Sequence, residues 1–194
     1  ASNRYAFIAI KSCNNETYAD VNYTCQQCEN GKSTNGALNN IGNNTCQNCL
    51  PGTSRSNDKN EIKCQLCETG YYQKYPGSKS CDDCSPGKYA NTTKSSSCKE
   101  CPVGKFNSLL AQASCKHCGS GKFNNLEGQS DEAVACKECP VGTFNNLLAQ
   151  PSCKSCSIGT FNNLLAQSSC KYCGAGKFNN LLAQSSCKFC GAGR

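Results

Sequence analysis

The chain contains no methionine and no tryptophan, and it has a single histidine, His117. Leu, Ile, Val and Phe together supply only 28 of its 194 residues, about 14%. So little apolar surface cannot offset the entropy of ordering one large core, which excludes a conventional single-core domain. The missing Met indicates that the numbered chain is a processed product or an excerpt.

Long apolar runs are also missing. No stretch reaches 18 apolar residues, and residues 1–10 are too short and too mixed for a signal peptide or a membrane span. We therefore expect no membrane span in this excerpt, because any such signal has been removed or lies outside it.

Acidic residues are absent from residues 139–194, in a chain whose net charge is +7. The positive groups there are isolated: Lys154, Lys171, Lys177, Lys188 and Arg194. Without a dense basic run we expect no nucleic-acid partner. Solvated lysines on an exposed face are one interpretation, and attraction to an acidic polysaccharide is the other.

Cysteine is abundant, with 21 residues or about 11% of the chain, which is typical of a disulfide scaffold in an oxidising compartment. Twenty of them form Cys-x-x-Cys pairs, mostly repeating every 17 residues. The pairs are Cys25/Cys28, Cys46/Cys49, Cys64/Cys67, Cys81/Cys84, Cys98/Cys101, Cys115/Cys118, Cys136/Cys139, Cys153/Cys156, Cys170/Cys173 and Cys187/Cys190. The intervals 28–46 and 118–136 are four residues longer than the standard interval, which predicts surface loops.

A glycine stands three residues after the second cysteine of every pair. This position predicts a positive φ or the close approach of another chain segment. Two residues further on, seven repeats carry an aromatic ring, and these rings are predicted to form a miniature core against the disulfides. The rings are Tyr72, Tyr89, Phe106, Phe123, Phe144, Phe161 and Phe178.

The last repeats are nearly identical, and residues 144–150, 161–167 and 178–184 all read Phe-Asn-Asn-Leu-Leu-Ala-Gln. The pattern predicts one capped turn of helix in each repeat. One leucine can then face the ring while its neighbour points outward, which predicts lateral contacts at Leu148, Leu165 and Leu182. The alternative is that both leucines are buried at the joint between repeats.

Three chemistries can use Cys-x-x-Cys pairs. Four-cysteine zinc sites fit the spacing, but every repeat resembles its neighbours and does not alternate as one half of a metal module. A redox site needs one reactive pair in a βαβ context. We therefore favour structural disulfides over both zinc and redox catalysis.

Two disulfide connectivities remain open. In a ladder, the second cysteine of each pair bonds to the first cysteine of the next; in crossed modules, adjacent pairs join first-to-first and second-to-second and leave Cys13 over. The crossed scheme predicts a period of about 34 residues, so the period of 17 favours the ladder. Each repeat is then expected to touch only its neighbours. The ladder bonds are Cys13–Cys25, Cys28–Cys46, Cys49–Cys64, Cys67–Cys81, Cys84–Cys98, Cys101–Cys115, Cys118–Cys136, Cys139–Cys153, Cys156–Cys170 and Cys173–Cys187, with Cys190 unpaired in this excerpt.

Four asparagines, Asn15, Asn22, Asn43 and Asn91, begin Asn-x-Thr sequences that accept N-linked glycans. Such acceptors have meaning only in a chain that passes through a secretory pathway. N-linked glycans are thus expected, and no other cofactor or metal.

The predicted fold is a series of small disulfide-rich repeats in an elongated, quasi-one-dimensional rod, with short β-hairpins and turns and no single core. Residues 1–12 form a strand-like segment that caps the first repeat or pairs with a neighbouring chain. Residues 13–63 are irregular and glycosylated, and residues 64–135 repeat every 17 residues and end in an inserted loop, 126–135. Residues 136–194 are near-identical repeats, in an array expected to continue beyond 194.

The sequences Cys-Pro-Val-Gly-Lys-Phe-Asn at 101–107 and Cys-Pro-Val-Gly-Thr-Phe-Asn at 139–145, each followed by Ser-Cys-Lys-x-Cys, resemble the ephrin-receptor-like cysteine-rich repeat. That family is similar to the cysteine-rich modules of tumour-necrosis-factor receptors. The resemblance covers about residues 25–194, although Ser33 and Ser54 replace the aromatic residue. It implies an extracellular stalk, coat or ligand-binding ectodomain and brings no catalytic residues.

We expect no enzymatic activity, because His117 has no nucleophile or carboxylate around it in the sequence. The close identity of residues 139–190 favours an extracellular structural protein of a filament, appendage or cell-surface coat. Its expected partners are further copies or other extracellular structural chains. The alternative is a ligand-binding or adhesive receptor ectodomain, with its recognition surface in residues 13–97 or 126–135.

Overall fold

The computed structural model describes residues 17–19, 25–33, 46–56 and 63–191. The predicted strand at the N-terminus, the Cys13–Cys25 bond and the acceptors Asn15, Asn22 and Asn43 lie outside the described residues, as does Gly193. The described chain divides into two compact parts. One runs to Asp82 and includes Thr92–Ser97, and the other comprises Asp83–Asn91 and the residues from Cys98 onward.

Regular structure in the described residues consists almost entirely of two- and three-residue strands, and each odd-numbered strand pairs antiparallel with the strand that follows it. The strands are β1 Thr17–Ala19, β2 Cys25–Gln27, β3 Lys32–Ser33, β4 Gln47–Asn48, β5 Thr53–Ser54, β6 Gln65–Leu66, β7 Tyr71–Tyr72, β8 Asp82–Asp83, β9 Lys88–Tyr89, β10 Lys99–Glu100, β11 Lys105–Phe106, β12 Lys116–His117, β13 Lys122–Phe123, β14 Lys137–Glu138, β15 Thr143–Phe144, β16 Lys154–Ser155, β17 Thr160–Phe161, β18 Lys171–Tyr172, β19 Lys177–Phe178 and β20 Lys188–Phe189. One short helix, α1 Glu132–Ala135, lies in the longer loop between Cys118 and Cys136. The predicted fold of small hairpin repeats without a closed sheet or a single core is confirmed.

Nine disulfides join the described repeats in the ladder arrangement. Cys101 bonds Cys115, and Cys118 bonds Cys136. We use "repeat" for the segment that one such bond closes. Eighteen cysteines are therefore held in sulfur–sulfur bonds, and no group of three or more metal-ligating side chains occurs in the described ranges.

The glycine of each repeat forms a tight turn. In the repeat 101–115, the N–H of Lys105 donates to the carbonyl of Pro102 (3.1 Å), and Gly104 has φ +79°. A positive φ at the third position of a β-turn is the type II requirement that glycine meets without strain. The prediction of a positive φ is confirmed at each described glycine of this kind.

The same glycine admits another part of the chain. A Cβ added to Gly104 would lie 2.1 Å from the carbonyl oxygen of Ala149, which belongs to the second repeat further along. Gly121 meets Ala166 in the same way at 2.0 Å. The expectation that each repeat touches only its neighbours is therefore wrong, because a turn from two repeats ahead reaches back to the glycine.

Asparagine fills the interior of the hairpins. Asn145 is 1% exposed, its Nδ2 donates to the carbonyl of Lys122 (2.6 Å), and its Oδ1 accepts the N–H of Leu147 (3.2 Å). The second cysteines are buried as well, for example Cys101 and Cys118 at 0%. Asn107, Asn124, Asn162 and Asn179 are buried in the same position.

The aromatic rings flank this interior to different degrees. Phe106 is buried against Cys118 and the helix residue Ala135. Tyr72, Tyr89, Phe123, Phe144 and Phe161 are half-buried. Phe178 is 42% exposed among the described residues.

Candidate interaction surface

The Leu-Leu sequences of the second compact part form surface loops and not helical turns. In the repeat 139–153, Asn145 closes an Asx-type turn onto the N–H of Leu147, and Ala149 takes φ +56°. A positive φ interrupts a right-handed helix, since the helix requires negative φ throughout. The predicted helical turn is therefore wrong in this repeat, and the same two features recur in the repeats closed at Cys170 and Cys187.

Both leucines of each loop point into solvent. Leu147 is 51% exposed and Leu148 is 58% exposed. Neither predicted arrangement, with one leucine or both leucines packed against the repeats, is found. We call the exposed pairs the leucine loops: Leu109–Leu110, Leu147–Leu148, Leu164–Leu165 and Leu181–Leu182.

The predicted contacts Leu148, Leu165 and Leu182 thus lie in three of the four loops. Sequence reasoning missed the partner leucines Leu147, Leu164 and Leu181, since a helical periodicity assigned them to the interior. It also missed Leu109 and Leu110, although the sequence Phe-Asn-Ser-Leu-Leu-Ala-Gln at 106–112 carries the same signal.

The backbone of each leucine loop is held by hydrogen bonds on both sides. The Nε2 of Gln150 donates to the carbonyl of Leu148 (3.1 Å), and the N–H of Ala149 donates to the carbonyl of Cys118 (3.0 Å) in the preceding repeat. A loop tied at these points loses little conformational entropy when its side chains are covered. The leucine loops are therefore preorganised for contact.

One lysine accompanies each leucine loop. Lys154 lies opposite Phe144 in the β15–β16 hairpin. In the next hairpin, the Nζ of Lys171 donates to Oδ1 of Asn163 (3.4 Å), the residue before the leucine pair. Residues 139–191 contain no acid, so the leucine loops there lie in a positive field.

The glycan acceptor Asn91 occupies the loop position that precedes the leucines in later repeats. Asn91 is exposed, and its Oδ1 accepts a hydrogen bond from the Nζ of Lys99 (3.2 Å). Thr92 and Thr93 stand where the leucine pair stands 17 residues later. The leucine loops thus begin in the repeat after the glycan acceptor.

Other features of the described residues offer fewer groups for binding or catalysis. An open groove of about 550 Å³ in the first compact part is lined by Ser54, Gln65, Tyr71 and Lys79, among others. His117 is exposed and lies opposite Lys105 in its hairpin. Cys190 is exposed and has no disulfide partner among the described residues. No helix in the described ranges is long and apolar enough to cross a membrane.

Residues 87–132 match the family model described as tyrosine-protein kinase ephrin type A/B receptor-like. This segment is therefore similar to the ephrin-receptor-like cysteine-rich repeat. The matched span includes the disulfide-closed loop 101–115 and most of the loop 118–136, and their turn and hairpin recur in the other described repeats. The resemblance expected from the sequence is confirmed over residues 87–132. No curated protein matches the chain significantly.

Proposed function

We propose that this repeat protein is an extracellular structural protein that assembles side by side through its leucine loops, as part of a filament, appendage or cell-surface coat. The observation that carries the proposal is the recurrence of exposed leucine pairs on loops whose backbone is already fixed. An extracellular or cell-surface location is supported by the disulfide ladder, the family match and the exposed acceptor Asn91.

Repetition supplies the energy that one loop lacks. Covering one exposed leucine contributes about 1.5–3 kcal/mol at most, and association costs about 4–15 kcal/mol in lost freedom. A single pair is therefore too weak, whereas several equivalent pairs engaged together exceed the cost. Identical loops favour identical partners, because each pair presents the same shape and the same neighbouring lysine.

The lysines make an acidic polysaccharide a second partner of the coat. Lys154, Lys171 and Lys188 are exposed at equivalent positions and have no acidic side chain within ion-pair distance in the described residues. A polyanion beside them would also reduce the repulsion between like-charged repeats that pack laterally.

The alternative function is a ligand-binding or adhesive ectodomain. The observation that favours it is the open groove beside Tyr71 and Lys79, which belongs to the less regular part of the chain. Binding of one soluble protein by isolated molecules, abolished by changes at these two residues, would support this alternative.

Lateral assembly can be tested by introducing N-linked glycans into the leucine loops. Replacing Leu148, Leu165 and Leu182 by Thr creates Asn-Leu-Thr acceptors at the exposed residues Asn146, Asn163 and Asn180. Expressed in a eukaryotic secretory host, the wild-type protein is expected to assemble with rising concentration, as seen by sedimentation and electron microscopy. The glycosylated triple variant is expected to stay monomeric.

The matched control carries the same threonines together with Asn→Gln at the three new acceptors. It loses three leucines without gaining glycans, so assembly intermediate between wild type and the glycosylated variant is expected. A wild-type protein that remains monomeric at all concentrations would refute lateral assembly. Undiminished assembly of the glycosylated variant would do the same.

A further inference from the structure

The repeat closed by Cys118–Cys136 has an acid where a leucine loop has its second leucine. Residues 124–129 read Asn-Asn-Leu-Glu-Gly-Gln, and residues 162–167 read Asn-Asn-Leu-Leu-Ala-Gln. The first leucine of the pair is kept. Glu127 therefore takes the position that Leu165 has in the later repeat.

The two loops share one backbone conformation. In both, the N–H of the first leucine donates to the Oδ1 of the buried asparagine: Leu126 to Asn124 (3.0 Å) and Leu164 to Asn162 (3.2 Å). In both, the Nε2 of the glutamine donates to the carbonyl of the residue after that leucine, at 3.1 Å and 2.9 Å. The residue before the glutamine has a positive φ in both, +66° and +56°. The exposed side chain of Glu127 thus projects from a loop whose backbone is already fixed.

Exposed acids and exposed apolar side chains occur together in residues 126–134, which we call the acidic loop. Leu126 is 51% exposed and Val134 is 62% exposed. The range contains no basic residue, and within the described residues no basic side chain lies within ion-pair distance of its acids. The exposed acids are Glu127, Asp131 and Glu132. The acidic loop therefore presents a surface that is both apolar and negative.

The leucine loop at Leu164–Leu165 has the opposite charge. The Nζ of Lys171 donates to Oδ1 of Asn163 (3.4 Å), which places the ammonium group beside the leucine pair. An ammonium group has three N–H donors, so two remain for an incoming carboxylate. Residues 139–191 contain no acid, and no ion pair involves Lys171 within the described residues.

Exposure of a leucine pair is a property of the loop itself. Leu109 and Leu110, which four disulfide-closed repeats follow, are 53% and 55% exposed. Leu164 and Leu165 are exposed to the same extent, at 51% and 54%. Later repeats therefore do not cover these side chains, and the pair remains available to a second molecule.

Charge decides how two copies can lie side by side. With equivalent repeats opposite each other, the acidic loop would face an acidic loop and Lys171 would face Lys171, and both contacts repel. An offset arrangement instead places the acidic loop of one molecule against Leu164–Leu165 of the next. Carboxylate then meets ammonium, and apolar side chains cover apolar side chains.

We propose that the acidic loop of one molecule binds the leucine loop Leu164–Leu165 of a second copy, with Glu127 paired to Lys171. The occupant is a second copy, because both complementary surfaces lie on this chain. The contact joins two different surfaces, so each molecule keeps one of them for a further neighbour, and repetition of the offset gives an open filament. This inference rests on the lateral assembly proposed above, and it assigns the register of that assembly and the charges that determine it.

Charge reversal in two separate chains tests the contact. Sedimentation velocity gives the concentration of half-maximal assembly for the wild-type chain, Glu127→Lys and Lys171→Glu. Each variant alone is expected to need about tenfold more protein, because an attraction becomes a repulsion. An equimolar mixture of the two variants is expected to return to near the wild-type value, since each variant supplies the charge that the other lacks.

Glu138→Lys and Lys177→Glu are matched controls with the same changes of charge. Glu138 is exposed and lies opposite Lys122 in the β13–β14 hairpin, and the Nζ of Lys177 lies over the ring of Phe189 at 4.7 Å. Neither residue belongs to the two contact surfaces. At 0.15 M salt, charges more than about 8 Å apart are largely screened, so both controls are expected to assemble like the wild type.

Zero-length cross-linking provides a second readout. A carbodiimide activates the carboxylate of Glu127, the Nζ of Lys171 attacks the activated carbonyl, and the urea leaves as an amide bond forms. Mass spectrometry of a mixture of isotope-labelled and unlabelled chains is expected to show this amide between chains of different label.

The outcomes separate this contact from lateral assembly as such. A wild-type chain that stays monomeric would overturn both. Wild-type assembly that neither Glu127→Lys nor Lys171→Glu weakens would overturn the contact alone, and so would a mixture that assembles no better than either variant. Cross-links that join Glu127 to another lysine of the second chain, and not to Lys171, would assign a different register and would also overturn it.

Discussion

Asparagine has the role in this protein that an aliphatic residue has in most cores. Asn145 satisfies one backbone carbonyl of the preceding repeat and one backbone N–H of its own leucine loop. Buried amides of this kind specify one arrangement, because each unmade hydrogen bond costs more than a made bond contributes. A chain with few aliphatic residues can thus define a fold with hydrogen bonds and disulfides together.

Replacement of Asn145 by Ala is expected to destabilise its repeat by about 1–3 kcal/mol, since the carbonyl of Lys122 and the N–H of Leu147 lose their partner. The measurement is amide hydrogen exchange with the disulfides intact, where the exchange of Leu147 should accelerate. The exposed neighbour Asn146 gives the matched control, Asn146→Ala, which should change little. Similar effects at the two positions would contradict the role of the buried amide.

At the scale of the element, the turn conformation and any chain segment packed against it together set how much stability is lost when a glycine is replaced. Gly142 and Gly159 have φ +77° and +79°, so both pay the same conformational cost when replaced. They differ in their surroundings, because an added Cβ would lie 2.1 Å from the Ala183 carbonyl oxygen at Gly142, whereas no described atom lies within 4 Å of one at Gly159. The pair separates backbone strain from close approach.

Gly142→Ala is therefore expected to lower the free energy of unfolding by about 2 kcal/mol or more beyond the effect of Gly159→Ala, because its Cβ would lie 2.1 Å from a backbone oxygen. Calorimetry of the two variants under non-reducing conditions provides the comparison. Equal shifts in Tm would show that the chain around Gly142 moves away from the added Cβ without loss of stability.

The sequence allowed the ladder, the turns and the hairpins to be predicted, because cysteine and glycine leave local signals at fixed spacing. The contacts between the turn glycines and later alanine carbonyls left no such signal in the sequence, since nothing marks Ala149 or Ala183 as residues at positive φ. Their conformation follows from contacts with a glycine 45 or 41 residues away. The exposed leucines were predicted in part, because the pair was noticed but a helical turn was assumed where an Asx-type turn forms.

At the scale of the whole molecule, covalent loops replace a shared core. Each described bond joins two cysteines that are 14 to 18 positions apart in the sequence. The chain-entropy model assigns about 3 kcal/mol to a loop of this length, although successive bonds do not add fully. Order in each repeat therefore depends on the state of its cysteines.

Reduction with dithiothreitol is expected to abolish the protection of backbone amides throughout the described repeats and to increase the hydrodynamic radius. A chelator without reductant is expected to change neither quantity, because eighteen cysteines are bonded to sulfur and not to a metal. Dynamic light scattering and hydrogen exchange measure both effects. Loss of structure in the chelator alone would contradict the disulfide ladder.

The reach of each turn to a glycine two repeats earlier also has a consequence for biosynthesis. During synthesis from the N-terminus, Gly104 gains its occupant only when Ala149 has emerged, 45 residues later. In this part of a growing chain, the two most recently synthesised repeats therefore still lack these contacts, however many repeats before them are complete. An oxidoreductase that corrects mispaired cysteines would find its accessible substrate in this moving window of two repeats, while the repeats already completed would be closed to it.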